Sequence, residues 1–203
     1  MSKFILVTGG ARSGKSTFAE LVADHSGQKV TYIATAQVWD EEMAFRVHKH
    51  KESRPPEWEL IEEPLNITEV LLTLRERDGV VLLDCVTLWL SNLILAHSSF
   101  QGEGNMGENL KHSSLQAEQE ILNKVREAAA AASGIKPTVI FVTNEVGLGI
   151  VPDNPLARAY RDLAGRSNQI LAQAADKVYF VVAGYPLEVK GPGQKILDGL
   201  RER

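Results

Sequence analysis

Four shortages narrow the field before any motif is read. The chain of 203 residues holds a single cysteine, Cys85, so no internal disulfide can form. Cys85 also sits in the apolar run "VVLLDC", where a thiol is expected to be buried and inert. No run of about 18 apolar residues occurs, which excludes a helical membrane span. Basic residues are in the minority: a formal net charge of −4 and a sequence pI near 5.8 argue against a general nucleic-acid or membrane-surface binder. Between Lys3 and Gly9 stand too few apolar residues for the core of a signal peptide, so this stretch reads as a first strand. These observations suggest a soluble, cytoplasmic protein with one domain.

What is abundant is short, nearly continuous apolar segments. "FILVTG" (Phe4–Gly9), "VTYIATA" (Val30–Ala36), "VVLLDC" (Val80–Cys85), "TVIFVTN" (Thr138–Asn144) and "KVYFVVAG" (Lys177–Gly184) are the signature of strands covered on both faces. Helix-like stretches alternate with them at Lys15–His25, Asp40–Lys51, Leu65–Arg77, Leu115–Ala132 and Pro155–Ala175. That alternation implies βαβ units, hence a mainly parallel sheet with helices on both faces. His97–Ser114 is rich in Gly, Ser and Asn and reads as a long loop. A breaker cluster opens the tail Gly191–Arg203, which is expected to be peripheral to a single domain spanning 1–190.

The motif "GGARSGKS", Gly9–Ser16, follows the first strand and opens the first helix, the setting of a P-loop. Glycines there let backbone N–H groups of Gly9, Gly10, Ala11, Arg12, Ser13 and Gly14 wrap phosphate oxygens, and the helix N-terminus adds partial positive charge. Lys15 would reach the β and γ phosphates, and Ser16 would give its hydroxyl to Mg²⁺. A second magnesium ligand is needed at the end of another strand. Asp84 ends "VVLLD" and suits that role, although an aspartate before "CVTLW" could also serve as a helix cap. Asn144 and Glu145 would lie on the same edge of the sheet. These parts imply nucleotide binding and phosphoryl transfer without naming the acceptor.

The densest polar run is "RVHKHKESRP", Arg46–Pro55. Glu42, Arg46 and His50 fall four apart and share one helix face; His48 points elsewhere. Lys51 and Arg54 follow at once, and Pro55 turns the chain at Arg54. Such a run can be a solvated basic face, a phosphate clamp, or the site of a nucleophilic histidine. Imidazole fits the last role because it is largely neutral near pH 7 and forms a phosphoramidate that stays reactive. Spacing alone does not choose among the three.

Taken together, "GGARSGKS", "YIATA", "DEEMAFRVHKHKESRPPEW", "LLDCVTLWLSNL" and "TNEVGLGIVPDNPLARAYRDLAGRSNQILAQAAD" resemble one family. It is the bifunctional adenosylcobinamide kinase / adenosylcobinamide-phosphate guanylyltransferase family of cobalamin biosynthesis, and the resemblance runs from about Phe4 to Lys190. It implies phosphorylation of the aminopropanol hydroxyl of adenosylcobinamide by ATP or GTP. Transfer of GMP from GTP to that phosphate would follow, through a guanylylated histidine, with release of pyrophosphate. The family pattern places that histidine at His50, with His48 a minor rival because some members carry adjacent histidines. Nucleotide contacts carried over by the resemblance are Gly9–Ser16, Ala34, Thr35 and Ala36, then Lys51, Glu52, Ser53 and Arg54, and finally Glu62 and Asp84. Read by itself, the "IEEP" around Glu62 is only an acidic turn. A homotrimer is also implied. The alternative from the residues alone is a small-metabolite kinase that transfers no nucleotide.

Overall fold

The computed structural model describes residues 4–37, 55–97 and 108–201, with side chains described from 115 onward in the last segment. Seven strands form one sheet in the order β3-β2-β4-β5-β1-β6-β7. They are β1 (Phe4–Gly9), β2 (Val30–Ala34), β3 (Glu59–Glu62), β4 (Val80–Asp84), β5 (Thr138–Val142), β6 (Lys177–Val182) and β7 (Tyr185–Glu188). All pairings are parallel except β6 with β7. The helices are α1 (Lys15–His25), α2 (Ile67–Thr73), α3 (Val86–Ala96), α4 (Glu108–Gly134), α5 (Pro155–Ala174) and α6 (Lys190–Arg201).

Period-two alternation divides the apolar runs between two cores. Phe4, Leu6, Ile33, Val81, Leu83, Val139 and Phe141 face α2, α3, α4 and α5. Ile5, Val7, Val30, Tyr32, Leu82, Ile140 and Val142 face the side packed by Ala19, Ala23, Phe18 and Val22 of α1. The strands are therefore covered on both sides, as their continuous apolarity requires. Trp89 of α3 is 1% exposed, and its Nε1 donates to the Leu65 carbonyl at 2.9 Å, which lets an indole sit in the larger core without an orphaned donor.

The α/β class is as expected, and several bounds are corrected. β3 and β7 each have four residues, exposed or half-buried, and carry no long apolar run to betray them. The expected helix Leu65–Arg77 contracts to Ile67–Thr73. The expected loop His97–Ser114 is helical from Glu108. The tail is also a helix, because the "GPG" breakers fall in its first turn, where proline lacks nothing the helix needs. The expected helix Asp40–Lys51 lies outside the described residues.

Candidate active site

Because six strands run parallel, their carboxyl ends share one edge, and those sequence candidates that lie among the described residues collect there. Registers Ala34↔Glu62 and Ala34↔Asp84 set Glu62, Ala34 and Asp84 in a row across β3, β2 and β4. β5 stands between β4 and β1, so Asn144 and Glu145 leave the sheet between Asp84 and the P-loop.

The P-loop owes its shape to two glycines. A Cβ on Gly9 would lie 2.6 Å from the Val181 carbonyl oxygen and 2.7 Å from Ser13 Oγ. Gly14 has φ +92° as the N-cap of α1, and a Cβ there would stand 3.1 Å from Gly184 Cα. The Gly184 N–H donates to the Ser13 carbonyl at 2.8 Å, so the β6–β7 turn braces the loop. Lys15 Nζ lies over the loop, donating to the Gly10 carbonyl at 3.4 Å.

Asp84 is half-buried, and the N-cap of α3 is its neighbour Cys85, with no side-chain cap bond. The cap role is thereby set aside. Cys85 is pushed up to about 11, first by burial and then by the Asp84 carboxylate, while Lys15 pulls it down. Both the P-loop lysine and the strand-end carboxylate act on this thiol, in keeping with their place on the same carboxyl edge. Ser16 and Asp84 carry hard oxygen donors of the kind Mg²⁺ takes, and they would hold it along with phosphate oxygens and water. No group of three or more His, Cys, Asp or Glu that could hold a metal ion occurs among the described residues.

Thr35 has a structural duty that the sequence did not announce. It is fully buried; its hydroxyl donates to the Cys85 carbonyl at 2.7 Å and accepts from the Cys85 N–H at 3.1 Å. Asn92 Nδ2 donates to the Thr35 carbonyl at 2.7 Å. The side chain therefore clamps the end of β2 to the end of β4. The acidic turn divides its labour: Glu63 Oε1 accepts from the N–H groups of Leu65 and Asn66, both at 2.9 Å, and Glu62 is exposed at the end of β3. His50, His48, Lys51, Glu52, Ser53 and Arg54 lie outside the described residues.

Sequence reading passed over a polar network behind this edge. Asn144 Nδ2 donates to Thr87 Oγ1 at 2.8 Å, and Tyr160 Oη donates to the Thr87 carbonyl at 3.0 Å. Thr143 Oγ1 donates to Asn168 Oδ1 at 2.8 Å, while Asn168 Nδ2 donates to the Asn144 carbonyl at 3.1 Å. These bonds join β5, α3 and α5. Their signal was the spacing of Tyr160, Ala164 and Asn168, which repeats every turn on one face of α5.

A site with a P-loop and an opposed strand-end aspartate belongs to many nucleotide-using enzymes, so comparison with known proteins decides further. The model of the cobinamide kinase / cobinamide phosphate guanyltransferase family matches residues 5–189. The chain belongs to that family. It is 42% identical over 186 residues to the bifunctional adenosylcobalamin biosynthesis protein CobU of Salmonella typhimurium, covering 92% of this chain and 99% of that protein. To the protein CobP of Pseudomonas aeruginosa, which carries the same description, it is 41% identical over 92% of this chain and 96% of the relative. As a member of this family the chain is an enzyme, a bifunctional kinase and nucleotidyltransferase. Among solved structures, an ATPase of a bacterial type III secretion system superposes with a TM-score of 0.53 at 11% identity, over 92% of this chain and 56% of the other. That likeness shows the P-loop NTPase fold alone. No described helix is long and apolar enough to cross a membrane.

Proposed function

We propose that this enzyme acts on adenosylcobinamide in two steps at the carboxyl edge of its sheet. In the first, the aminopropanol hydroxyl attacks the γ-phosphorus of ATP or GTP, giving adenosylcobinamide phosphate and a nucleoside diphosphate. In the second, a ring nitrogen of His50 attacks the α-phosphorus of GTP, and pyrophosphate leaves. The phosphate of the first product then attacks the guanylyl phosphorus, giving adenosylcobinamide-GDP and returning the imidazole. Lys15 and the backbone N–H groups of Gly9–Ser16 hold the triphosphate, with further nucleotide contacts from Ala34–Ala36, Lys51–Arg54, Glu62 and Asp84. Ser16 and Asp84 hold Mg²⁺, which neutralises charge on the phosphates. The working form is a homotrimer in the cytoplasm.

The observation that carries this reading is the match of residues 5–189 to the cobinamide kinase / cobinamide phosphate guanyltransferase family, in a chain whose P-loop and Asp84 share the carboxyl edge of one parallel sheet. The test is incubation with labelled GTP and Mg²⁺, without corrinoid. An acid-labile, base-stable label should appear on the protein, vanish in His50→Ala, and leave much of the kinase step intact. Label retained in His50→Ala but lost in His48→Ala would move the nucleophile. No label on the unaltered protein, with corrinoid still phosphorylated, would leave a kinase alone.

A further inference from the structure

The loop from β5 to α5 has a feature that nucleotide chemistry does not use. Leu148, Ile150 and Val151 are 78%, 96% and 61% exposed. Such side chains usually fold back onto the nearest core, and this loop is held so that they do not. At its root Val146 packs on the larger core, and Glu145 Oε1 accepts from the Gly147 N–H at 2.9 Å. At its far end Arg158 donates to the carbonyls of Pro152 and Asp153 at 2.9 and 2.6 Å, and Asn154 Oδ1 accepts from the Ala157 N–H at 2.7 Å. Pinned at both ends, the loop presents a fixed aliphatic ridge to solvent.

The ridge borders the phosphate cradle. The Glu145 N–H donates to the Gly9 carbonyl at 3.0 Å, and Leu148 comes three residues later, within about 11 Å of Glu145 along even a fully extended chain. An acceptor whose hydroxyl must meet a phosphate above Lys15 has to rest the remainder of its body on ground next to the P-loop. We propose that Leu148, Ile150 and Val151 seat the corrin macrocycle of the acceptor, their aliphatic groups lying against its methyl-bearing periphery. A second copy of the chain is the rival occupant. Three aliphatic side chains fall far short of the roughly 800 Å² per partner that a stable protein interface covers, so by themselves they would not hold together the homotrimer proposed above.

This proposal rests on the acceptor being a corrinoid and is independent of His50. The test compares the unaltered enzyme with Leu148→Ser/Ile150→Ser and with Ile150→Ser alone, which serves if the double variant is poorly made. Initial rates of the kinase step are measured against adenosylcobinamide at saturating ATP and against ATP at saturating adenosylcobinamide, with mass by light scattering. The expected result is a KM for adenosylcobinamide raised about ten-fold or more in the double variant and several-fold in the single one. The KM for ATP should stay within about two-fold, with mass unchanged. An unaltered KM for the corrinoid would overturn the proposal. So would a fall in mass, which would give the ridge to a second copy. Failure of the unaltered enzyme to phosphorylate the corrinoid would instead strike the substrate reading itself, before any variant is made.

Discussion

The carboxyl edge of the sheet and the C-terminal hairpin with its helix are built on opposite principles. At the edge, polar side chains are buried and bonded to one another: Thr35, Thr87, Asn92 and Thr143 are each less than 5% exposed and each finds a partner. In the C-terminal unit apolar side chains stand in water. Tyr185, Leu187, Ile196, Leu197 and Leu200 are all at least half exposed, and α6 buries no residue. The family match also ends at residue 189, just before α6 begins. Directional bonds in a low-dielectric setting fix atoms in place, whereas an exposed apolar helix contributes little to the fold of a single chain. Phosphoryl chemistry requires the first arrangement and is indifferent to the second.

The sharpest way to break this contrast is Thr35→Val. It removes a hydroxyl that both donates to and accepts from Cys85, depriving the buried Cys85 N–H of this partner while the Cys85 carbonyl keeps the Trp89 N–H at 3.2 Å. We expect a loss of about 1–3 kcal/mol in denaturant unfolding. A loss under about 1 kcal/mol would show that the edge is not held as described. Alkaline titration comes next. Burial raises Cys85 to about 11 from an ordinary 9.0, so the folded chain keeps a proton that the unfolded chain gives up. Stability should therefore be fully present below pH 9 and decline as pH rises towards 11, by about 2–3 kcal/mol. Tyr160, raised to about 12 mainly by burial, extends the decline in the same direction above pH 10. Cys85→Ala should flatten the pH 9–11 part of the curve. The smallest effects belong to the tail. Ending the chain after Lys190 should change stability by less than about 0.5 kcal/mol. Lys190→Ala should cost about 1 kcal/mol, because Nζ bonds the carbonyls of Ala172, Gln173 and Ala175 at the end of α5. A truncation more damaging than that substitution would reverse the comparison.

The same contrast explains what could be read from the sequence. Strands covered on both faces announce themselves as apolar runs, so β1, β2, β4, β5 and β6 were legible, as was the P-loop with its strand and helix on either side. The place of Asp84 at the end of β4 was legible from the four apolar residues before it, whereas its role was not, since an aspartate there could also have capped the next helix. β3 and β7 were not, since four-residue edge strands with exposed side chains carry no periodic signal. Nor was the duty of Thr35: "YIATA" tells that a threonine follows the strand, and only the neighbouring β4 tells which way its hydroxyl turns. The ridge at Leu148–Val151 was hidden for the opposite reason, because aliphatic residues in a sequence are taken to be interior.

One close approach sets a boundary on how this protein can vary. Gly14 and Gly184 come so near that a methyl group on the first would press on the backbone of the second. Ordinarily such a clash can be relieved by shrinking the neighbour, but Gly184 has nothing left to remove. A lineage or a selection experiment that loses Gly14 therefore has no repair available at the position it touches, and the way back runs through reversion alone or through a shift of the whole β6–β7 turn.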